Sequence, residues 1–125
     1  MRWIVDGMNV IGSRPDGWWR DRHAAMVRLV EDLERFSLAV GEAVTVVYER
    51  PPATPIDSEV VEVGHASVPG RDSADGEIVR RVLTDPDPAS LSVVTSDRRL
   101  DDQVAEAGAG TVAAGTFRGR LDDLA

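Results

Sequence analysis

The chain has 125 residues, the length of one domain, with 42% hydrophobic residues and a formal net charge of −8. It contains no cysteine and no lysine, which excludes disulfides, cysteine zinc sites and any mechanism that needs a catalytic thiol or lysine. The acidic balance argues against holding nucleic acid by overall charge, but not against an enzyme whose acids are neutralised by a bound cation. No apolar run approaches the ~20 residues of a membrane span and no signal peptide is visible, so we expect a cytoplasmic protein with no membrane partner.

The first part of the chain predicts two buried strands with a long helix between them. Residues 2–6 form an apolar strand, and a loop rich in glycine and proline follows at 12–17. Apolar residues at helical spacing predict a helix over 18–40 that stops at Gly41. The β-branched run 44–48 predicts the second strand, and the proline-rich stretch 50–55 predicts a loop.

The second part continues this alternation of strands and helices. We expect a short strand at 60–63, a loop at 65–71, a helix over 73–83, a buried strand at 91–95, a helix over 97–107, an edge strand at 111–113 and a weak helix or turn at 117–124. Such an order predicts an α/β fold in which helices cover both faces of a parallel sheet. No repeat or linker interrupts it, so we expect residues 1–125 to form a single domain.

Three aspartates are expected at one edge of this sheet. Asp6 ends the first strand and Asp97 follows the strand at 91–95, while Asp75 lies in the first turn of a helix that starts at the same edge. Ligands of parallel α/β sheets bind beyond the carboxyl ends of the strands, where the strand order reverses. Three carboxylates there would repel one another unless a cation held them, and hard oxygen ligands suit Mg²⁺ or Mn²⁺.

Each of these side chains also has a plain structural interpretation. Asp6 would form a tight turn, Asp75 would favour the positive end of its helix, and Asp97 would cap a helix. Asn9 either orients a water or a phosphate oxygen, or stabilises a turn. Asp101, one turn past Asp97, belongs to a solvated helix face or assists the site. The shared placement of the three aspartates favours function for the set.

Arginines in loops and helix starts near the same edge suit phosphate, although any one of them could simply balance the acidic surface. The candidate phosphate contacts are Arg14, Arg71, Arg98 and Arg99, within a wider group that includes Arg20 and Arg22. Trp18 and Trp19 would stack on bases or close the core. His23 and His65 match no zinc-ligand spacing, so we expect them to be structural or solvated.

Three motifs resemble those of the NYN-domain proteins, which are PIN-like ribonucleases, and in particular their small bacterial branch related to YacP. The motifs are Ile4-Val5-Asp6-Gly7-Met8-Asn9-Val10-Ile11, Ser73-Ala74-Asp75 at a helix start, and Val93-Val94-Thr95-Ser96-Asp97. The resemblance implies a three-layer PIN-like fold with strand order 3-2-1-4-5 and an enzyme that hydrolyses RNA phosphodiester bonds with metal-activated water. It also implies a homodimer.

By the same resemblance, Asp6, Asp75 and Asp97 become ligands of Mg²⁺ or Mn²⁺, and Asn9 becomes an accessory catalytic residue. The four candidate arginines become contacts to RNA phosphates. Many relatives carry a further acid two residues past the one that matches Asp97, and here that position is Arg99. Either the metal site has fewer ligands, or Asp101 substitutes.

Two rival functions stand beside the ribonuclease. A non-catalytic RNA- or ribosome-associated binding module would keep the PIN-like fold without cutting RNA, which the arginine at position 99 and the acidic surface favour. A phosphatase of the haloacid-dehalogenase type also begins with an acid after the first strand. That chemistry needs a second acid where Met8 stands, and it needs a lysine, so the sequence disfavours it.

Overall fold

The structure is a computed structural model that describes residues 1–68, 70 and 73–124. One sheet contains five strands in the order β3-β2-β1-β4-β5, and every neighbouring pair is parallel. The strands are β1 (Arg2–Asp6), β2 (Val44–Tyr48), β3 (Val61–His65), β4 (Leu91–Val94) and β5 (Gly110–Val112). The α/β class and the strand order 3-2-1-4-5 are therefore confirmed.

Helices cover both faces of the sheet, as the alternation of elements predicts. They are α1 (Gly7–Ile11), α2 (Arg22–Val40), α3 (Ser73–Thr84), α4 (Arg98–Glu106) and α5 (Ala114–Asp122). One buried cluster joins Val5 to apolar residues of α1, α2 and α5, and a second joins Ile4 to those of α3 and α4. The central strands are apolar on both sides because both sides are buried.

The long helix begins later than the sequence pattern suggests. Trp18–Arg20 is a separate 3-10 turn, and Asp21 has a non-helical backbone with φ −151° and ψ 84°. The Asp21 carboxylate accepts a hydrogen bond from the Ala24 N–H at 3.0 Å, so it caps α2 and separates the helix from the turn. The predicted start at residue 18 is wrong for this reason. The predicted end is correct, because Gly41 stops the helix with φ 68°.

Two short helices depend on packing more than on sequence pattern. Helix α1 has five residues, too few for a periodic signal, but it buries Val10 and Ile11. Helix α5 replaces the expected weak helix or turn because Phe117 and Leu121, one turn apart, are both buried. The Phe117 ring lies 5.0 Å from that of Phe36, which itself packs edge-on against Trp3 at 5.4 Å.

The remaining boundaries differ from expectation by one or two residues. Strand β3 extends to His65, where the sequence suggested that a loop begins, and β4 ends at Val94. Helix α4 begins at Arg98 because Asp97 is its N-cap. Within the described ranges, no helix has the length and apolar character needed to cross a membrane.

Candidate functional site

The three aspartates predicted from the sequence line one open pocket at the carboxyl end of the central strands. The pocket has a volume of about 390 Å³ and is called the acid pocket below. Its lining residues are Asp6, Met8, Asn9, Trp18, Arg22, Glu49, Ala74, Asp75 and Asp97. The chain crosses from one side of β1 to the other between β3 and β4, so the pocket lies where the strand order reverses.

Each aspartate stands at the start of a different helix. Asp6 ends β1 and occupies the N-cap position of α1, while Asp75 lies in the first turn of α3. Asp97 caps α4, because its Oδ1 accepts hydrogen bonds from two backbone N–H groups of the first turn at 3.0 and 3.2 Å. The Ser73 hydroxyl donates to the Glu49 carbonyl oxygen at 2.7 Å, which fixes the start of α3 against the end of β2.

Asp6 is the most enclosed acid of the pocket. Its residue surface is only 6% exposed, and Thr95 Oγ1 donates a hydrogen bond to its Oδ2 at 3.0 Å. Burial raises the pKa of Asp6 to about 7, and the neighbouring charges of Asp75, Asp97 and Glu49 add to this rise against the lowering effect of Thr95. The negative charges of the pocket therefore disfavour ionised Asp6, and a cation held among them would favour it.

A small network of hydrogen bonds holds the loop after β4 against the end of β1. The Thr95 hydroxyl that donates to Asp6 accepts a hydrogen bond from the Asp97 N–H at 3.1 Å. Asn9 Oδ1 accepts from the Ser96 N–H at 2.8 Å. The two aspartates at the strand ends are thus positioned by the same loop, and Asn9 connects that loop to α1.

Among the described residues, one arginine lines the acid pocket, and it belongs to the wider group named from the sequence. The guanidinium carbon of Arg22 lies 5.2 Å from the ring centroid of Trp18, within cation–π range. Arg14 instead pairs with Asp122 of α5 and does not line the pocket. Arg98 and Arg99 are exposed in the first turn of α4 and also lie outside the lining, and Arg71 falls outside the described residues.

Trp18 combines the two roles that the sequence left open. It packs against the core cluster and also contributes to the wall of the acid pocket. Its ring meets that of Trp19 edge-on at 5.9 Å, and Trp19 is 50% exposed. The 3-10 turn thus places one tryptophan at the pocket and the other in solvent.

Comparison with known proteins identifies the family of this chain. The sequence-family model of the YacP-like NYN domain matches residues 3–125. The chain belongs to this family. YacP-like NYN domains form a PIN-like nuclease family, so the resemblance seen in the three sequence motifs is confirmed.

Among the solved structures that are similar to this NYN domain are two of Rae1 (YacP) from Bacillus subtilis. A mutant form is 22% identical with a TM-score of 0.80, and the match covers 99% of this chain and 77% of that chain. The second structure is 19% identical with the same TM-score of 0.80, covering 99% and 75%. At these identities the likeness shows the fold. No curated protein matches this chain.

Glu49 is a fourth carboxylate of the pocket that the sequence argument missed. It directly follows Tyr48, the last residue of β2, and so occupies the same edge of the sheet as Asp6. The rule that located Asp6 and Asp97 would have found it if it had been applied to this strand as well. Asp101, offered as a substitute ligand, lies in the first turn of α4 but does not line the pocket.

The chemistry of these donors can be compared with the metal that the family resemblance implies. Across residues 1–68, 70 and 73–124, no three Asp, Glu or His side chains form a ready metal-binding group. The four carboxylates therefore share a pocket without forming a closed cage. Their oxygens are nevertheless the donors that Mg²⁺ and Mn²⁺ prefer, and the charges of Asp75, Asp97 and Glu49 add to the effect of burial in raising the pKa of Asp6. The donor set fits such an ion by its chemistry.

Proposed function

We propose that this NYN domain is a divalent-metal-dependent ribonuclease that hydrolyses RNA phosphodiester bonds. The observation that supports the proposal is the convergence of four carboxylates, including buried Asp6, on one pocket of a chain from a nuclease family. We further propose that the protein works in the cytoplasm, with RNA as its partner, and that it forms a homodimer by analogy with PIN-like proteins.

Asp6, Asp75 and Asp97 would hold Mg²⁺ or Mn²⁺, and Glu49 would add a fourth carboxylate. When bound, such an ion supplies positive charge at the phosphate and lowers the pKa of water for attack. The residues of the chain do the positioning. Thr95 holds the Asp6 carboxylate through its hydroxyl, and Asn9 keeps the loop that carries Asp97 against α1.

Arg22 would contact the RNA backbone. It is exposed and lines the acid pocket, so its charge lies where a phosphate oxygen would bind. Contacts of this type position the backbone but read no sequence. With a net charge of −8, the protein depends on such local positive charge, together with the bound cation, to approach RNA.

The decisive experiment replaces one carboxylate without disturbing the helix that it caps. Asp97→Asn keeps an N-cap residue as effective as aspartate, so we expect the fold to persist. RNA cleavage should fall by about two orders of magnitude or more, because the charge that holds the cation at the reacting phosphate is lost. Initial rates on structured and unstructured RNA, with Mg²⁺, Mn²⁺ or a chelator, measure this effect.

Asp101→Asn is the matched control, because Asp101 lies in the same helix one turn later and outside the pocket. We expect this variant to cleave RNA like the parent. If Asp97→Asn degraded RNA as fast as the parent with Mn²⁺, the assignment of the site would be wrong.

A second candidate is a non-catalytic RNA- or ribosome-associated binding module. Two points favour it: exposed Arg99 stands where the family resemblance implies an acid, and no ready metal-binding group exists within the described part of the chain. RNA binding that persists in chelator, with no cleavage under either metal, would establish this candidate in place of the nuclease.

A further inference from the structure

A second cavity opens beside the acid pocket, towards the loop that follows β2. It has a volume of about 400 Å³, within the range of ~300–1,000 Å³ typical of small-molecule sites, and we call it the side pocket. Met8, Arg22 and Glu49 line both cavities. A ligand held at the acid pocket could therefore extend into the side pocket without leaving the protein surface.

Much of the wall of the side pocket is apolar. Its apolar lining residues include Met8, Met26, Tyr48, Pro51 and Pro52. Tyr48 is 1% exposed, and its hydroxyl donates to the Met26 carbonyl oxygen at 3.0 Å, so the phenol is fixed. Methionine side chains adapt their shape to a partner and make favourable contacts with flat rings. This wall suits the face of an aromatic ring.

The rest of the wall is polar. It contains His23, Glu49 and Arg50. The Nδ1 atom of His23 is buried without a hydrogen-bond partner among the described residues, so the polar groups that a ligand can reach are the Glu49 carboxylate and the Arg50 guanidinium. Arg50 is exposed. Donors and acceptors are thus both available next to the apolar wall.

We propose that the side pocket binds one nucleobase of the RNA, in the nucleotide next to the phosphate held at the acid pocket. This inference rests on the proposed function, which supplies the phosphate. A nucleobase has apolar faces and a polar edge, and the side pocket offers a surface for each. Arg22 lines both cavities, so it is the arginine placed to contact the linking phosphate.

Other ligand classes use only part of the side pocket. An alkyl chain would bury next to His23, Glu49 and Arg50 without pairing them, which costs free energy. A simple anion would leave the methionine and proline wall unused and would meet the charge of Glu49. The nucleobase is the class that matches both walls.

The binding test uses nucleosides, because they carry the base without phosphate and need no metal. Adenosine, cytidine, guanosine and uridine are each titrated into the whole chain in chelator, with ribose as the base-free control. We expect at least one nucleoside to shift the NMR signals of His23, Met26 and Ala53, with ribose binding about tenfold more weakly or not at all. Equal shifts from ribose, or shifts confined to other surfaces, would overturn the proposal.

A variant at Ala53 tests the same cavity in the presence of RNA. Ala53 is exposed and lines the side pocket but not the acid pocket, so Ala53→Leu places bulk where the base would lie. We expect the KM for RNA and the nucleoside dissociation constant each to rise about tenfold, with kcat nearly unchanged. Ala89→Leu, exposed in the turn Pro88–Ser90 at the other end of the sheet, is the matched control.

The outcomes separate this inference from the proposed function. If the parent cleaves RNA but nucleosides do not bind and Ala53→Leu behaves like Ala89→Leu, the nucleobase site is wrong and the nuclease stands. If nucleosides bind the side pocket but no metal supports cleavage, the nucleobase site stands and the nuclease is wrong.

Discussion

Gly7 determines how closely the start of α1 can follow the end of β1. A Cβ atom at this position would lie 2.5 Å from Cε1 of Tyr48 and 3.0 Å from Cγ2 of Val46. The Tyr48 ring cannot easily yield, since it is buried and its hydroxyl is bonded to the Met26 carbonyl oxygen. The absence of a side chain at Gly7 therefore sets the position of its neighbour Asp6 at the acid pocket.

Gly7→Ala should destabilise the protein by about 1–3 kcal/mol, because the added methyl overpacks a rigid site. Gly76→Ala is the matched control. Gly76 lies inside α3, a Cβ atom there would meet none of the described residues within 4 Å, and alanine should stabilise the helix by up to about 1 kcal/mol. Urea unfolding of both variants and the parent measures the difference. Equal stability of Gly7→Ala and the parent would show that Tyr48 yields.

Helix α3 is attached to the edge of the sheet by an ion-pair network in its middle. The Glu77 carboxylate accepts hydrogen bonds from Arg80 and Arg81, and Arg81 Nη1 also donates to Glu62 of β3 at 2.7 Å. This network connects the helix that carries Asp75 with strand β3. It therefore helps to hold one wall of the acid pocket in place.

The same network predicts a pH-dependent contribution to stability. Hydrogen bonds from Arg80 and then from Arg81 lower the pKa of Glu77 to about 2, from an ordinary value of 4.5. Because the folded pKa is the lower one, the contribution is present above about pH 4.5 and is lost as the pH falls towards 2. Glu77→Gln should cost about 1 kcal/mol at pH 7 and progressively less towards pH 3.

Urea unfolding at pH 7, 5 and 3 measures this change. Glu106→Gln is the control, since Glu106 is exposed at the end of α4 and pairs with no residue in the described part of the chain. A cost for Glu77→Gln that stayed constant from pH 7 to pH 3 would contradict the role given to the ion pair.

The elements that the sequence predicted well are those whose own residues carry the signal. The apolar runs of β1, β2 and β4 and the spacing of Leu29, Leu33 and Phe36 in α2 are visible without any tertiary contact. Helix α5 was only weakly indicated, because Gly115 and Gly119 lower its propensity and it depends on burying Phe117. The start of α2 was missed because a capping aspartate resembles an ordinary polar helix residue.

The residues of the candidate site also divide into those that the sequence pattern locates and those that only tertiary contacts decide. Asp6, Asp75 and Asp97 could be located because the carboxyl ends of parallel strands share one edge, and this rule needs only the order of elements. The choice among arginines could not be made in this way, because a long side chain on a loop or helix start can point in several directions. Arg22 reaches the pocket while Arg14 turns to Asp122, which only the tertiary structure decides.

Across the whole molecule, the acid pocket concentrates charge in a protein that is already acidic. Four carboxylates of the described residues line one cavity of a chain whose net charge is −8, and burial raises the pKa of Asp6 to about 7. Placing acids in this arrangement opposes folding at neutral pH, since burial and like charges both disfavour ionised Asp6. The unfavourable ionisation of Asp6 should therefore lower the free energy of unfolding by a measurable amount.

In the presence of a chelator, the parent should lose stability as the pH rises, and Asp6→Asn should remove this loss. The unfolded Asp6 side chain ionises near 3.8, whereas burial keeps its proton on in the folded state up to about pH 7. The folded state binds more protons in this interval, so the free energy of unfolding falls as the pH rises, by up to about 1.4 kcal/mol per pH unit. Asp6→Asn has no ionisable group at this position, so this fall in the free energy of unfolding is absent. Its amide oxygen can still accept the Thr95 hydrogen bond.

Urea unfolding from pH 4 to pH 8 should therefore show Asp6→Asn gaining stability relative to the parent until about pH 7, with Asp101→Asn following the parent throughout. Adding Mn²⁺ at pH 8 should then stabilise the parent more than Asp6→Asn, because a cation that binds the folded state shifts the folding equilibrium by mass action. Parallel stability curves for parent and Asp6→Asn, with the same response to Mn²⁺, would mean that Asp6 neither carries the electrostatic cost of the pocket nor holds the ion.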